Sequence, residues 1–371
     1  MRKNNNKIPT FKIKSKSLQK LKTKMNPLRH LFPVLDQCLY LNTAYTAPLS
    51  RPLFDWFSKE DQQFLAHGDQ YKIVDEKQYY LAAQHALAKF VGNAIDHTFI
   101  TGNFSSAFQN FILHLPKGSR FLMLSEEYPS LTGLVNHHGF DFDEVNITVD
   151  VEQKVWDALH RKSYDVFALS AIQYSTGLFF DMQWLKKIKK AFPNLILLVD
   201  GTQFIGAEEF DFEGSGIDGL FGSSYKWLLS AHGTGYAIIR KGVTQDIGIS
   251  TKTLQTSYNR GQLSIKALGS LPIAIEMLES CGFKQLIQSK AGLTQTLKKE
   301  LQSRGLLDQM VAHRKTHSSI FNLPLSEQEY QGLLKNNVRC IQRGKGVRIA
   351  VHAYNIPEDI KQFFTILDSL R

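Results

Sequence analysis

The sequence predicts an α/β fold in which helices cover a mostly parallel β-sheet. Between residues 95 and 240, short apolar segments alternate with segments of helical spacing, which is typical of repeated βαβ units. The apolar run at residues 195–199 has no polar interruption, as expected for a strand buried on both faces. Asp200 follows that run directly, at the strand end where open α/β sheets bind ligands.

The N-terminal part of the predicted fold is a short strand followed by helices. Residues 39–44 indicate a strand and a turn, and Pro48 and Pro52 end regular structure before a helical stretch that starts near Phe54. Residues 79–91 carry apolar side chains at helical spacing, so we predict a helix there.

A strand, a glycine turn and a helix start are predicted across residues 99–107. Ser105 or Ser106 is expected to cap this helix, whose free N–H groups could also bind an anion. Further strands are predicted at residues 120–125 and 166–171, and a helix at residues 184–192.

A second reactive group, the amine of Lys226, follows the short apolar piece at residues 219–222. Residues 227–229 make its surroundings partly apolar. A lysine held against apolar surface loses proton affinity and can act as a nucleophile, whereas the alternative is a solvated surface lysine. Pyridoxal phosphate is a cofactor that joins such a lysine to an acid at its ring nitrogen.

The segments Asp200-Gly-Thr-Gln203 and Ser223-Ser-Tyr-Lys226 resemble the cofactor signature of the class V aminotransferases. That family includes aminotransferases, cysteine desulfurases, selenocysteine lyases and kynureninases. The resemblance extends from about Leu39 to Leu370, with the motifs in the family order. It implies pyridoxal phosphate as cofactor, fold type I with a mixed, mostly parallel seven-stranded sheet, a smaller α+β C-terminal domain, and a homodimer whose sites use both subunits.

The resemblance also assigns roles around the cofactor ring. Lys226 would form the Schiff base with the cofactor and shuttle protons. Asp200 would pair with the pyridine nitrogen, Gln203 would hydrogen-bond the ring oxygen, and Tyr128 would stack on the ring. The phosphate would be held by Ser223, Tyr225, Phe104 and Ser105.

Two residues are expected at the amino-acid substrate. Asn42 belongs to a segment that resembles the family's stretch beside the substrate, although a plain edge strand is the alternative. Arg348 lies in a β-like run ahead of Asn355, a predicted helix cap. The resemblance implies that Arg348 holds the substrate α-carboxylate, for which a planar guanidinium is suited. A solvent-facing strand arginine is the alternative. Gln173 and Tyr174 are further candidates near the ring.

The chain departs from the family pattern in three places. Residues 103–105 replace the usual Gly-Thr-Thr of the phosphate turn, and Gln262 replaces a threonine expected to reach the neighbouring subunit's phosphate. Tyr225 replaces a frequent histidine and resembles the kynureninase-like variant. The first two departures are the support for one alternative, a non-catalytic binding protein that keeps the fold.

The positive charge of the chain is concentrated in an N-terminal tail. Nine of the net +10 charges precede Met25, which leaves +1 for the remainder, so no nucleic-acid binding is expected from the folded body. We expect residues 1–24 to be a disordered tail, residues 25–264 a large cofactor domain, and residues 265–371 a linking helix and small domain; residues 25–50 could pack with that small domain. No apolar run is long enough to span a membrane, and three cysteines without metal or disulfide spacing favour the cytoplasm.

Several reactions share this predicted machinery. Transamination of a small amino acid is our first expectation, with cysteine desulfurase or selenocysteine lyase activity second and kynureninase-like cleavage third. A desulfurase needs a thiol on a mobile loop shortly before the substrate arginine. Cys340 lies within a strand-like segment eight residues before Arg348, so we expect it to be a buried structural thiol.

Overall fold

The structure is a computed structural model that describes residues 26–371, except for the side chains of residues 72–75. The predicted basic tail lies outside these residues. Its strands, in chain order, are β1 (Leu39–Tyr40), β2 (Thr98–Thr101), β3 (Phe121–Leu124), β4 (Phe142–Val145), β5 (Val166–Ser170), β6 (Ile196–Asp200), β7 (Gly219–Ser223), β8 (Gly235–Ile239), β9 (Ile320–Leu323), β10 (Val338–Arg339), β11 (Ile341–Arg343) and β12 (Gly346–Ala350).

The helices include every helical segment expected from the sequence. They are, in chain order, α1 (Arg51–His67), α2 (Asp69–Val91), α3 (Phe104–Ile112), α4 (Pro129–His137), α5 (Val151–Arg161), α6 (Met182–Ala191), α7 (Val243–Asp246), α8 (Thr251–Tyr258), α9 (Ile265–Ser280), α10 (Phe283–Ser303), α11 (Gln309–Ala312), α12 (Glu327–Lys335) and α13 (Pro357–Ser369). None of the helices in the described part of the chain has the length and apolarity needed to cross a bilayer.

The largest sheet is mixed and mostly parallel. Within residues 26–371 it has seven strands in the order β2-β8-β7-β6-β5-β3-β4. β8 runs antiparallel to both of its neighbours, β2 and β7. The other neighbouring pairs are parallel. The predicted α/β fold class is therefore confirmed, including the seven-stranded sheet that the family resemblance implied.

Alternation along the strands explains why their sequences are continuously apolar. In β6, Leu197 and Val199 join one core cluster, whereas Ile196 and Leu198 join a second cluster on the opposite face. Helices α2, α5, α6 and α9 contribute to the first cluster, and α3, α4 and α8 contribute to the second. A strand covered by helices on both faces has no polar side, which produces the unbroken apolar run.

The C-terminal part of the chain forms a smaller unit with its own core. In the described residues, β9, β11 and β12 form an antiparallel sheet in the order β11-β12-β9, and β1 pairs in parallel with β10. A third core cluster contains residues of α10, α12, α13 and this sheet. The N-terminal segment thus contacts the C-terminal unit, while α9 packs on α2 in the larger unit. The domain boundaries themselves stay predictions.

Three local expectations were wrong. Asn103 caps α3 in place of Ser105 or Ser106, because its side chain accepts from the Ser106 N–H while Ser106 Oγ accepts from the Asn103 N–H. Helix α13 is preceded by Ile356 and not capped by Asn355, whose amide instead donates to Asp359 at 2.8 Å. The polar composition of residues 255–264 predicts an irregular segment, but residues 255–258 continue α8.

Candidate active site

Three polar residues meet at the carboxyl ends of neighbouring parallel strands. Ser170 is the last residue of β5, Asp200 of β6 and Ser223 of β7. Ser170 and Asp200 are directly paired. By strand alternation, all three side chains lie on the face covered by α3 and α4. The predicted acid therefore has the expected position at a ligand-binding edge of the sheet.

Asp200 is a buried carboxyl with few partners. Its side chain is 7% exposed, and Oδ1 accepts a hydrogen bond from the Thr202 N–H at 2.8 Å. Burial raises its pKa, while hydrogen bonds from Thr202 and the charge of Lys226 oppose that rise. Among the described residues no ion pair engages this carboxylate. A cation placed against it would therefore gain a partner that is already desolvated.

Lys226 is buried in the same pocket as Asp200. The lysine is 9% exposed, and its Nζ lies 5.7 Å from the centre of the Tyr225 ring. Burial lowers its pKa to about 8, with Arg348 and Arg343 adding to the shift and Asp200 opposing it. A substantial fraction of the amine is therefore neutral near pH 8, which is the nucleophilic form.

Most of the predicted cofactor residues line one pocket. Of that set, Asp200, Gln203, Ser223, Tyr225, Lys226, Phe104 and Tyr128 are all present. Ser105 is not among the lining residues and is half-buried in the first turn of α3. The remaining lining residues are Tyr174, which the sequence analysis gave as a candidate near the ring, and Ser170, Ile172 and Thr202, which it did not single out.

The start of α3 contacts the pocket through its backbone. The Phe104 N–H donates to Ser223 Oγ at 3.0 Å, and the Ser223 N–H donates to Thr202 Oγ1 at 3.1 Å. Asn103 fixes the first turn by accepting from the Ser106 N–H at 2.9 Å. These contacts place a helix N-terminus and two hydroxyl groups side by side, which is a suitable arrangement for an anion.

The other pocket residues are held by contacts with the protein. The Gln203 amide donates to Ala44 O at 2.9 Å and accepts from Trp227 Nε1 at 2.6 Å. The Tyr128 ring packs edge-on against the rings of Phe104 and Tyr174, with distances between ring centres of 6.1 and 5.4 Å. Tyr225 stacks on His232 at 4.2 Å, and its hydroxyl pKa is raised by burial.

Arg348 is a buried cation that has no carboxylate partner among the described residues. It is 2% exposed, and Nη1 donates to Tyr174 O at 2.6 Å. Its Nε and Nη2 are buried and, in the described part of the chain, have no hydrogen-bond partner. Burial lowers the pKa of Arg348 to about 10. The alternative of a solvent-facing arginine is therefore wrong, and an orphaned guanidinium edge is suited to bind a carboxylate.

Asn42 and Cys340 lie at different places in the small unit. Asn42 bridges to Ala350 at the end of β12, and its Oδ1 is buried with no partner among residues 26–371. Cys340 is buried, as expected, in the apolar cluster that contains Val347 and Ile349. Since Val347 and Ile349 flank Arg348 in β12, that cluster lies on the sheet face opposite Arg348. Burial raises the pKa of the Cys340 thiol to about 12.

Two important residues were missed by sequence reasoning. Thr202 hydrogen-bonds both Asp200 and the Ser223 backbone. Glu127 is 4% exposed and accepts hydrogen bonds from the Ser170 N–H, at 2.9 Å, and from the Ser170 hydroxyl. Burial raises the pKa of Glu127 to about 7, and the nearby charge of Asp200 adds to the rise. Thr202 was visible inside the signature, but nothing local in the sequence connects Glu127 to residue 170.

Comparison with known proteins identifies the family. A family model described as Aminotransferase class-V matches residues 40–363. The chain belongs to the class V aminotransferases. A search of curated proteins finds no match. The family resemblance seen in the sequence is thus confirmed over nearly the whole described chain.

Solved structures of the same fold are close in shape and distant in sequence. C-DES with glycine covalently linked to its pyridoxal phosphate cofactor has a TM-score of 0.81 at 16% identity, covering 91% of this chain and 98% of that one. Apo cysteine desulfurase from Thermococcus onnurineus has a TM-score of 0.75 at 16% identity, covering 92% and 97%. The Escherichia coli cysteine desulfurase CsdA has a TM-score of 0.72 at 14% identity, covering 92% and 97%. At these identities the likeness shows the shared fold.

The residues present fit the cofactor of this family. Class V aminotransferases and the C-DES structure carry pyridoxal phosphate, in agreement with the cofactor expected from the sequence. In this chain, a lysine of lowered pKa shares a pocket with a buried acid that forms no ion pair with any described residue. The orphaned nitrogens of Arg348 provide a separate position for a carboxylate.

Proposed function

We propose that this protein is a pyridoxal-phosphate-dependent aminotransferase that acts on a small amino acid. The observation that supports the proposal is the meeting of Lys226 and Asp200 in one buried pocket. Lys226 would bind the cofactor aldehyde, and Asp200 would keep the ring nitrogen protonated. When bound, pyridoxal phosphate supplies an electron sink for a negative charge developing at the substrate α-carbon.

The chain's own residues would position the cofactor and substrate. Tyr128 would cover the ring, and Gln203 would approach the ring oxygen with its second amide hydrogen. The Phe104 N–H, Ser105, Ser223 and Tyr225 would hold the phosphate. Arg348, helped by Asn42, would bind the α-carboxylate through its free guanidinium edge. This orientation would keep the substrate α-carbon within reach of Lys226 Nζ. The lysine amine would remove the proton from the α-carbon and return it to a carbon of the cofactor.

Transamination is preferred to thiol-dependent sulfur removal because of Cys340. The thiol is buried on the sheet face opposite Arg348, and its pKa is raised to about 12. A thiolate nucleophile would need the opposite environment. A second candidate is C–S bond cleavage that uses no protein thiol. It is favoured by the fold of C-DES, described as a cystine C–S lyase with cysteine persulfide as its product. Kynureninase-like cleavage, a homodimer and a cytoplasmic location remain predictions.

The test of the proposed function begins with cofactor attachment. Purified protein with added pyridoxal phosphate should turn yellow and, after borohydride reduction, carry the cofactor on Lys226. Lys226→Ala should lose the reducible bond. A matched control, Lys290→Ala, removes another buried lysine, one that is paired with Glu208 at 2.7 Å, and should retain cofactor attachment wherever it folds. A colourless wild-type protein would support a non-catalytic binding protein.

Product identification separates the reactions. Amino acids and cystine should be screened for a change in cofactor absorbance, and products should be assayed as keto acid, sulfide or persulfide. A keto acid together with the amine form of the cofactor supports transamination. Persulfide released from cystine would favour the C–S lyase. Sulfide from cysteine that vanishes in Cys340→Ser would contradict the preference for transamination.

A further inference from the structure

A second arginine lies on the same face of the small sheet as Arg348. Arg348 is directly opposite Ile341 in the antiparallel pair of β11 and β12, and Arg343 is opposite Gly346. Because side chains alternate along a strand, Arg343, Ile341 and Arg348 share one face. The other face carries Val347 and Ile349 and belongs to the apolar core. Arg343 therefore extends toward the pocket side of the sheet.

Arg343 and Arg348 are not among the residues that line the pocket, but their contacts and their effect on the pKa of Tyr225 and Lys226 place them beside it. The Arg343 guanidinium carbon lies 5.7 Å from the centre of the exposed Tyr45 ring. Its carbonyl accepts a hydrogen bond from Asn322 Nδ2 at 2.7 Å, and the same amide donates to Ser175 O at 3.1 Å. Ser175 follows Tyr174, a pocket residue that also accepts from Arg348. These contacts tie the strand that carries Arg343 to the loop beside the site.

The charge of Arg343 also affects the site directly. It helps lower the pKa of Lys226 and of Arg348, after the larger effect of burial in both cases. Among the residues whose side chains are described, no aspartate or glutamate forms an ion pair with Arg343. Two arginines that face one pocket without an acid between them leave an uncompensated positive charge, and a ligand with two acidic groups would neutralise both.

We propose that the substrate is an amino acid whose side chain ends in an acidic group, with Arg348 binding its α-carboxylate and Arg343 binding its side-chain acid. The proposal rests on the proposed function, since it places the amino acid in the same pocket. An exposed guanidinium beside the pocket, held near Tyr45, would select for the acid without closing the pocket. Neutral amino acids of equal size would lack this contact.

The test compares isosteric ligands on the cofactor-loaded protein. Aspartate should be compared with asparagine, and glutamate with glutamine, by titrating the change in cofactor absorbance. At least one acid should bind roughly tenfold or more tightly than its amide, the effect of one charge-assisted hydrogen bond. Arg343→Gln should bring that ratio close to one, and Arg343→Lys should retain part of it. Lys335→Gln removes an exposed charge at the end of α12 and should leave the ratio unchanged.

A second measurement separates this inference from the proposed function. Calorimetric titration with succinate and with butyrate, with and without added pyridoxal phosphate, requires no turnover. Succinate should bind more tightly, and Arg343→Gln should weaken it about tenfold. If the protein does not bind pyridoxal phosphate but still binds succinate more tightly than butyrate, the proposed function is wrong and the proposed role of Arg343 and Arg348 in binding two acidic groups is supported. If the cofactor binds and reacts but acid and amide are equivalent in the wild type, or Arg343→Gln leaves their ratio unchanged, the inference is wrong.

Discussion

Two buried aspartates at opposite ends of neighbouring strands show how an acid that the protein neutralises differs from one without an ion pair among the described residues. Asp218 directly precedes β7, is fully buried and accepts from Lys189 at 2.7 Å, from the Leu197 N–H at 2.8 Å and from Arg240. Asp200 ends β6, and its pKa is raised by burial with no ion pair among the described residues. The first acid is neutralised by the protein, whereas the second is available to a cationic group of a ligand.

The same contrast applies to cations that are buried or half-buried. Half-buried Arg314 pairs with Glu152, and buried Lys290 pairs with Glu208. Arg348 keeps two nitrogens that have no hydrogen-bond partner in the described part of the chain, and Lys226 has a lowered pKa of about 8. Unsatisfied buried charge is costly, so its concentration at the carboxyl ends of the strands indicates a site that binds charged groups.

The largest expected difference is between the two aspartates. Asp218→Asn should lower the free energy of unfolding by about 3 kcal/mol, because Lys189 and Arg240 lose a buried partner. Asp200→Asn should change stability by less than about 1 kcal/mol, because it removes a poorly compensated charge, while turnover falls roughly 10³-fold. Urea unfolding and amino-acid turnover measure the two effects. Equal losses of stability would contradict the contrast.

The arginines provide the next test. Arg348→Ala should raise the apparent substrate KM about a hundredfold, since a bidentate charge-assisted contact is lost. Arg314→Ala should leave KM unchanged and lower stability by about 2 kcal/mol through its broken pair with Glu152. Steady-state kinetics and thermal unfolding should be measured on both variants. An unchanged KM in Arg348→Ala would remove Arg348 from the substrate site.

The pKa of Lys226 predicts a pH-dependent rate of cofactor attachment. The neutral amine is the reactive form, and its pKa is lowered to about 8. The attachment rate should fall about tenfold per pH unit below pH 8 and level off above it. Following cofactor absorbance between pH 6 and 10 at constant ionic strength would measure this profile. A rate that keeps rising to pH 10 would indicate an ordinary solvated lysine.

The smallest effect is expected at Glu127. Its folded pKa of about 7 is above the ordinary value of 4.5, so the folded state retains the proton longer than the unfolded state. This contribution to stability is complete below about pH 4.5 and declines as pH rises toward 7. Glu127→Gln lacks that decline, so its stability relative to the wild type should improve between pH 5 and 7.5. The melting temperatures of both proteins should be measured across this pH range. A difference between them that does not change with pH would contradict the prediction.

The central acid and amine were accessible from the sequence because they depend on local patterns. A run of apolar residues defines β6, and the residue after it must lie at the strand end. The residue that caps α3 was less predictable, since Asn103, Ser105 and Ser106 are all good capping residues. The position at which β2 ends, Thr101, determines where α3 can begin and so selects Asn103.

The remaining parts of the site depend on distant contacts. Glu127 acquires its role from Ser170, and Arg343 acquires its position from the register of β11 against β12. Neither relation has a local pattern in the chain. Arg348 was found through the family resemblance, but its orphaned nitrogens are visible only in three dimensions.

The pairing of β1 with β10 has a consequence for how the protein matures during synthesis. Leu39 leaves the ribosome early, yet its partner Val338 is made near the end of translation. The Ala47 N–H, which donates to Tyr225 O at 3.0 Å, lies just after that strand. The segment that contacts Tyr225, next to Lys226, is therefore fixed by β10 only after most of the polypeptide has been synthesised. Until β10 docks, the pocket of Lys226 in a nascent chain would stay open to the cofactor aldehyde.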